Sequence, residues 1–257
     1  MFFVIRLTGK RQISELQPFD LCITLLIADM ASYAMESMRE SLVAVLACTP
    51  KAAEHIREDE ARTDHYEDII GSYLVKLSAR KIGETDSALA AEYLRLIGDF
   101  ERIADHSVNI LESAEELKNK GISFSPAARQ EYQIMSAAVQ EVTGLAYTAF
   151  VTGDIGAARR IEPLEQVIDD LKEELRTRHI RRMQQGTCGI EAGFIWSDLL
   201  TDLERVSDHC SNIACCIVEG IDHNLHRHEV LQSIRENSAS FDADYAAFRE
   251  KYALAAE

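Results

Sequence analysis

Apolar residues recur at helical spacing along almost the whole chain. In the segment 87–119, Leu89, Tyr93, Leu96, Phe100 and Ile103 fall on one face of a helix. The segment 190–220 repeats the pattern at an offset of 103 residues, so that Leu203 matches Phe100 and Val206 matches Ile103. These segments are several times longer than a typical strand, and the pattern therefore predicts long amphipathic helices.

Short turn-forming stretches separate the helical segments. The clearest are Thr49-Pro50, the region 83–87, the region 118–126, and the glycine-containing breaks at 152–156 and 185–189. Only four prolines and twelve glycines occur in 257 residues, too few for the frequent turns of a β-sandwich or barrel. The chain is predicted to be all-α, with helices over 20–47, 51–80, 87–119, 127–151, 155–184, 190–220 and 226–250.

A twelve-residue motif occurs twice. Residues 99–110 read DFERIADHSVNI and residues 202–213 read DLERVSDHCSNI, with seven identical positions. A repeat of this kind indicates a duplicated structural unit. We therefore expect two tandem antiparallel three-helix bundles, over 20–120 and 121–221, followed by a C-terminal tail or helix over 222–257.

Acidic pairs with a spacing of four accompany the repeat. Four residues advance a helix by about 400°, so both carboxylates of a pair share one face. Such pairs also arise by chance on solvated faces, but these recur at equivalent places in the two halves. If the faces meet, each bundle gathers four carboxylates, ligands that suit hard cations such as Mg²⁺, Ca²⁺ or Mn²⁺ and that also hold iron in helical bundles. The candidate ligands are Glu60, Asp64, Glu101 and Asp105 in the first half, and Glu165, Asp169, Glu204 and Asp208 in the second.

The remaining polar residues of the motif allow more than one role. Asn109 and Asn212 lie one turn beyond the acidic pairs, where their amide oxygens could join a metal shell or bond a neighbouring backbone. Asp99 and Asp202 lie about 200° away from that face, and we expect them to pair with the arginine three residues on, Arg102 or Arg205. The histidines that follow the aspartates, His106 and His209, are expected to pack between helices or to be exposed.

The net charge and the absence of common catalytic motifs exclude several classes of function. The chain has 27 Lys and Arg against 43 Asp and Glu, a formal net charge of −16, which disfavours nucleic-acid binding. No GxSxG, P-loop, GxGxxG or HExxH motif is present, so we expect no enzyme activity. The longest apolar run falls far short of a membrane span, and the six cysteines form no CxxC pair. We therefore expect a cytoplasmic protein with reduced thiols.

The repeated Asp-x-Glu-Arg-(Ile/Val)-x-Asp-His-x-x-Asn-Ile motif, with its paired acidic helices, resembles the PhoU-type regulators of phosphate uptake. Segments such as 66–78 and 194–200 look closest to the PhoU-like C-terminal domain of bacterial sodium/phosphate cotransporters. The resemblance implies two three-helix bundles, metal clusters held by the eight carboxylates, and a regulatory role at the inner face of the membrane. Iron or zinc is the leading metal, with Mn, Ni, Mg or Ca as alternatives.

The same resemblance implies partners. These are a phosphate transporter, through its ATPase subunit or a membrane domain of the same protein, a sensor histidine kinase, and a second copy in a homodimer. Two other classes stay open from the residues alone: a metal-dependent enzyme built on a helical bundle, and a purely structural helical adaptor.

Overall fold

The computed structural model describes residues 17–79, 83–221 and 238–255. Within these residues the chain forms seven α-helices and no strand, which confirms the all-α prediction. The predicted helix over 226–250 begins at Ser238 among the described residues, and 226–237 lie outside them. The helices are α1 Gln17–Ala47, α2 Pro50–Ser78, α3 Glu84–Lys120, α4 Pro126–Thr152, α5 Ile155–Gln184, α6 Ile190–Ile221 and α7 Ser238–Lys251.

Local capping explains where the helices begin and end. Thr49, Ser125 and Asp154 each accept a hydrogen bond from a backbone N–H of the following turn, at 3.2 Å. Helices α3 and α4 end at Gly121 and Gly153, whose φ angles of 64° and 66° favour glycine. The predicted break at 83–87 is too long, because α3 already starts at Glu84. Glu84 and Asp86 in this first turn stabilise the start of the helix, because their negative charges interact favourably with the helix dipole.

The first six helices form two three-helix bundles. Helices α1, α2 and α3 pack against one another, and α4, α5 and α6 do the same. Matching positions are buried in both bundles: Phe100 and Ile103 in α3, and Leu203 and Val206 in α6, all have no exposed surface. The apolar stripe that reveals the repeat is thus the stripe that forms each core.

The two bundles join through equivalent helices. Helix α3 packs on α6, and α1 packs on α4. Phe100 of the first bundle meets Phe150 of the second edge-to-face, with ring centroids 5.2 Å apart. The buried hydroxyl of Tyr132 in α4 donates a 2.8 Å hydrogen bond to the Leu42 carbonyl of α1. The apolar core therefore continues from one bundle into the other.

The last helix belongs to the second bundle. Helix α7 packs on α5, and its Phe248 is 3% exposed and lies under the Arg160 guanidinium. Lys251 Nζ lies 2.9 Å from Oε2 of Glu141 on α4. These contacts attach α7 to the flank of the second bundle, away from the helices that carry the repeated motif.

Two helices are long and apolar enough to cross a membrane, judged by length and composition: Leu21–Ala47 and Pro126–Thr152. In each, 44% of the most apolar window is buried inside the structure. Core helices of a bundle meet the same criterion, so this is weak evidence for membrane insertion. A search for uninterrupted apolar runs does not detect such helices, because small polar residues interrupt them.

Candidate metal centre and inter-bundle polar network

Helix α3 carries two polar stripes that face different neighbours, and α6 carries the same two. One stripe contains Asp99, His106 and Asn109 and faces α6. The other contains Glu101 and Asp105 and lies beside acidic residues of α2. The two stripes separate because residues 99 and 101 point about 200° apart on a helix.

The first stripe forms a reciprocal network across the bundle interface. Oδ1 of Asp99 lies 2.9 Å from Nδ1 of His209 and 3.0 Å from Nδ2 of Asn212. The second copy of the motif repeats the arrangement, with Oδ1 of Asp202 lying 2.8 Å from Nδ1 of His106 and 3.4 Å from Nδ2 of Asn109. Each copy of the motif therefore supplies the acceptor for the imidazole and the amide of the other copy.

The direction of the pairing shows how the helices cross. As the residue number rises from 99 to 106 in α3, the partner falls from 209 to 202 in α6, so the two helices are antiparallel. The His106 and His209 rings lie together at the crossing, with centroids 5.7 Å apart. Asp99, Asp202 and both histidines are less than 20% exposed, and the network is therefore largely shielded from water.

One expectation for this stripe is wrong. Asp99 and Asp202 do not pair with the arginines three residues on, since both carboxylates accept from the opposite bundle. Arg102 instead lies 3.6 Å from Asp105, and Arg205 lies 3.4 Å from Asp208. The asparagines reach across the interface as well, since Nδ2 of Asn109 donates to Asp202 and Nδ2 of Asn212 donates to Asp99. The histidines pack between helices, one of the two roles expected for them.

The second stripe of α3 meets α2 in an acidic cluster, called here the first cluster. Its carboxylates act on one another electrostatically. Burial raises the pKa of Glu60, and the charges of Asp105 and Asp64 raise it further. Glu67 of α2 also acts on Glu101 of α3. The four predicted carboxylates of the first half are thus connected by electrostatic interactions, and Glu67 adds a fifth acid. The first cluster comprises Glu60, Asp64, Glu67, Glu101 and Asp105.

Among the carboxylates of the first cluster, Glu101 has the most strongly shifted pKa. Burial raises the pKa of Glu101 to about 7, and the nearby Asp105 carboxylate adds to the shift by its charge and by sharing a proton. The Arg102 guanidinium, 3.5 Å from Glu101 and 3.6 Å from Asp105, opposes this rise only in part. The carboxylates of the first cluster therefore repel one another at neutral pH, and a cation among them would lower their energy.

The second bundle has an equivalent group, called here the second cluster. Burial and the Glu204 charge raise the pKa of Asp169, and the same two causes raise that of Asp208. Nζ of Lys172 lies 3.1 Å from Oε1 of Glu204, and both side chains are about four-fifths buried or more. The second cluster comprises Asp169, Lys172, Glu204 and Asp208, with Glu165 one turn away on the same face of α5.

Neither cluster is arranged as a closed metal site. Among the residues described, no three His, Cys, Asp or Glu side chains converge closely enough to hold an ion. The donor chemistry still fits a cation, since every member of the first cluster offers carboxylate oxygens.

Two members of the clusters were missed from the sequence. The offset of 105 that relates Asp64 to Asp169 also relates Glu67 to Lys172. Position 67 is three residues beyond Asp64 and so lies on the same helix face. A search for the four-residue spacing alone overlooks it, whereas extending the repeat alignment by one turn finds both residues.

Both halves of the chain match the same domain family. The sequence profile of the PhoU domain matches residues 27–114 and again residues 132–217, which together make up more than half of the chain. The chain belongs to the PhoU domain family. The two matches fall one on each bundle, and each includes one copy of the repeated motif.

Relatives named as PhoU homologues or as putative phosphate export proteins align with this chain. It is 30% identical over 150 residues to "Phosphate-specific transport system accessory protein PhoU homolog 1" of Thermotoga maritima, spanning 58% of this chain and 63% of that protein. It is 25% identical over 202 residues to YjbB of Escherichia coli K12, named for inorganic phosphate export, spanning 76% of this chain but 36% of that protein. The alignments thus cover less than two thirds of either relative.

Solved PhoU structures have the same fold. PhoU from Pseudomonas aeruginosa superposes with a TM-score of 0.75 at 20% identity, covering 82% of this chain and all of that one. PhoU from Streptococcus pneumoniae superposes with a TM-score of 0.67, also at 20% identity, covering 81% of this chain and 99% of that one. The two-bundle architecture is therefore that of PhoU proteins.

The reciprocal network yields a stability prediction. Asp202→Ala removes the acceptor for both His106 and Asn109, so it should lower the free energy of unfolding by about 1–3 kcal/mol. Asp99→Ala should cost a similar amount, because its contacts are equivalent. Urea unfolding followed by circular dichroism measures both. Asp198→Ala, which removes an exposed acid of the same helix, is the matched control and should change stability by less than about 0.5 kcal/mol. Equal stability of the Asp202 and Asp198 variants would contradict the assignment.

The raised pKa of Glu101 predicts a pH-dependent cost. The folded protein binds this proton more tightly than the unfolded chain, so stability falls as pH rises from about 4.5 to about 7. Glu101→Gln mimics the protonated form and should raise the urea midpoint at pH 8 in chelator, with the gain shrinking towards pH 4. Glu112→Gln, an exposed position of the same helix, serves as control. A destabilised Glu101→Gln protein at pH 8 would refute the account.

Proposed function

We propose that this PhoU protein regulates phosphate transport by docking on a phosphate transporter, and that cations bound at its acidic faces organise the docking surface. The observation that carries the proposal is the PhoU domain match on both bundles. The Thermotoga maritima relative is named as an accessory protein of a phosphate-specific transport system, which agrees with this role. The proposed role is binding, and we assign no catalytic step to the chain.

The proposed partner is a phosphate transporter, contacted either through its ATPase subunit or as a membrane domain of the same protein. The second form, that of the sodium/phosphate cotransporters, is supported by the alignment with YjbB, a relative in which the matched region is about a third of the protein. A sensor histidine kinase and a second copy of the chain are further proposed partners. These partners place the protein in the cytoplasm, at the inner face of the membrane.

The carboxylates of the acidic faces are the proposed metal ligands. In the first half they are Glu60, Asp64, Glu101 and Asp105, joined by Glu67, and in the second half Glu165, Asp169, Glu204 and Asp208. The electrostatics support the first set, since burial raises the pKa of Glu101 to about 7 and Asp105 adds to it. Iron or zinc is the leading candidate, and Mn, Ni, Mg or Ca would also suit oxygen ligands. Asn109 and Asn212 are proposed as possible additional ligands through their amide oxygens, since the contacts across the interface engage their Nδ2 atoms.

A bound cation would supply charge neutralisation between α2 and α3. The five carboxylates of the first cluster and the Arg102 guanidinium beside them sum to a formal charge of −4. A divalent ion halves this charge and draws the two helices together at their acidic faces. Most side chains of the first cluster are half-buried, so part of each remains exposed on one flank of the bundle. These exposed parts form the surface that we propose contacts a transporter.

The proposal predicts a loss of regulation when the first cluster is neutralised. In a host lacking the gene, restoring the wild-type chain should change the rate of phosphate uptake at least twofold, measured with radiolabelled phosphate. The variant E60Q/D64N/E101Q/D105N should fold but lose this effect and its bound metal. The control E54Q/E58Q/D68N/E112Q makes the same charge change at exposed positions of the same helices and should regulate normally. Uptake unaffected by the wild-type chain would refute the regulatory role.

A further inference from the structure

We propose that Lys172 takes the place of the metal in the second bundle, so that only the first cluster of this chain binds a cation. This inference rests on the metal-binding part of the proposed function and adds an asymmetry between the halves. Its basis is one position of the repeat, which is an acid in the first bundle, Glu67, and a lysine in the second.

The lysine lies inside the second cluster. Its Nζ is 3.1 Å from Oε1 of Glu204, and the exposed fractions of the two side chains are 21% and 13%. The same ammonium also opposes the rise in the pKa of Asp169. A shielded ammonium at this distance from a carboxylate is a charge-assisted contact, stronger than a pair on the open surface. The second cluster therefore already contains a counter-charge.

Charge counting separates the two clusters. Arg102 and Arg205 occupy equivalent places and contact equivalent acids, so the arginines do not distinguish the halves. With Glu67, the first cluster has five carboxylates and one arginine, for a formal charge of −4. With Lys172, the second has four carboxylates, Glu165 included, one lysine and one arginine, for a formal charge of −2. At these six matched positions the difference of two charges comes from position 67/172; Asp170 and Glu173, which also act on Asp169, match His65 and Asp68 of the first half.

A metal ion in the second bundle would meet this ammonium directly. It would have to displace Lys172 from Glu204 or bind beside a like charge, and repulsion between charges a few ångströms apart is strong where water is largely excluded. Oε2 of Glu204 is buried without a hydrogen-bond donor, so the lysine satisfies only one of the two oxygens. The pair thus neutralises the cluster in part, and removing the ammonium should leave a strong cation site.

Metal stoichiometry tests the inference. Chelator-treated protein is reconstituted with Zn²⁺, and in parallel anaerobically with Fe²⁺, desalted, and analysed by plasma mass spectrometry. The wild type should retain a set number of ions, lost in D64N/E101Q and unchanged in D169N/D208N. Lys172→Glu, which restores the acid of the first half, should roughly double that number. Arg176→Glu makes the same charge change at an exposed position of α5 and should leave it unchanged.

Thermal melting provides a second readout with Lys172→Met, which keeps the stem without the charge. In chelator this variant should melt below the wild type, because Glu204 loses its counter-ion, and added Zn²⁺ should restore it. Loss of half the metal in D169N/D208N, or an unchanged metal content and melting temperature in both Lys172 variants, would overturn the lysine inference. Absence of metal from the wild type and from Lys172→Glu would instead refute the metal proposal itself.

Discussion

The antiparallel crossing of α3 on α6 is the contact on which the rest of the structure depends. At this crossing Asp99 accepts from His209 and Asn212 of the opposite bundle, and Asp202 accepts from His106 and Asn109. A shielded carboxylate without these donors would be costly, so the two bundles can only meet in the register that satisfies both. With that stripe turned towards the partner bundle, the stripe 200° away must face α2 or α5. The reciprocal network between the bundles thereby determines where the acidic faces lie.

Duplication produced a symmetric interface but unequal clusters. The contacts across α3 and α6 need one copy of each residue from each repeat, so a change in either copy would break a hydrogen bond between the bundles. The acidic faces lie separately in the two bundles and carry no such mutual constraint. Position 67/172 is glutamate in the first copy and lysine in the second, while positions 102 and 205 are arginine in both. Two bundles with the same fold can thus differ in what they bind.

Sequence patterns were enough for the fold class, the repeat and most helix boundaries, because apolar periodicity and capping are local properties. They also singled out the carboxylates proposed as metal ligands, and that part stays a prediction. The partners of Asp99 and Asn109 could not be predicted in this way. An arginine three residues along the helix is the nearest local partner, and only the packing of two bundles brings a histidine from 110 residues away within 2.9 Å. Lys172 was missed for another reason, since a search for acidic spacing ignores a base at the equivalent position.

The most direct test of the account is the location of bound metal in crystals of the reconstituted protein, by anomalous diffraction at the metal edge. The account predicts anomalous peaks between α2 and α3, within reach of Glu60, Asp64, Glu101 and Asp105, and no peak beside the Lys172–Glu204 pair. Peaks of equal height in both bundles, or peaks confined to the second bundle, would contradict it.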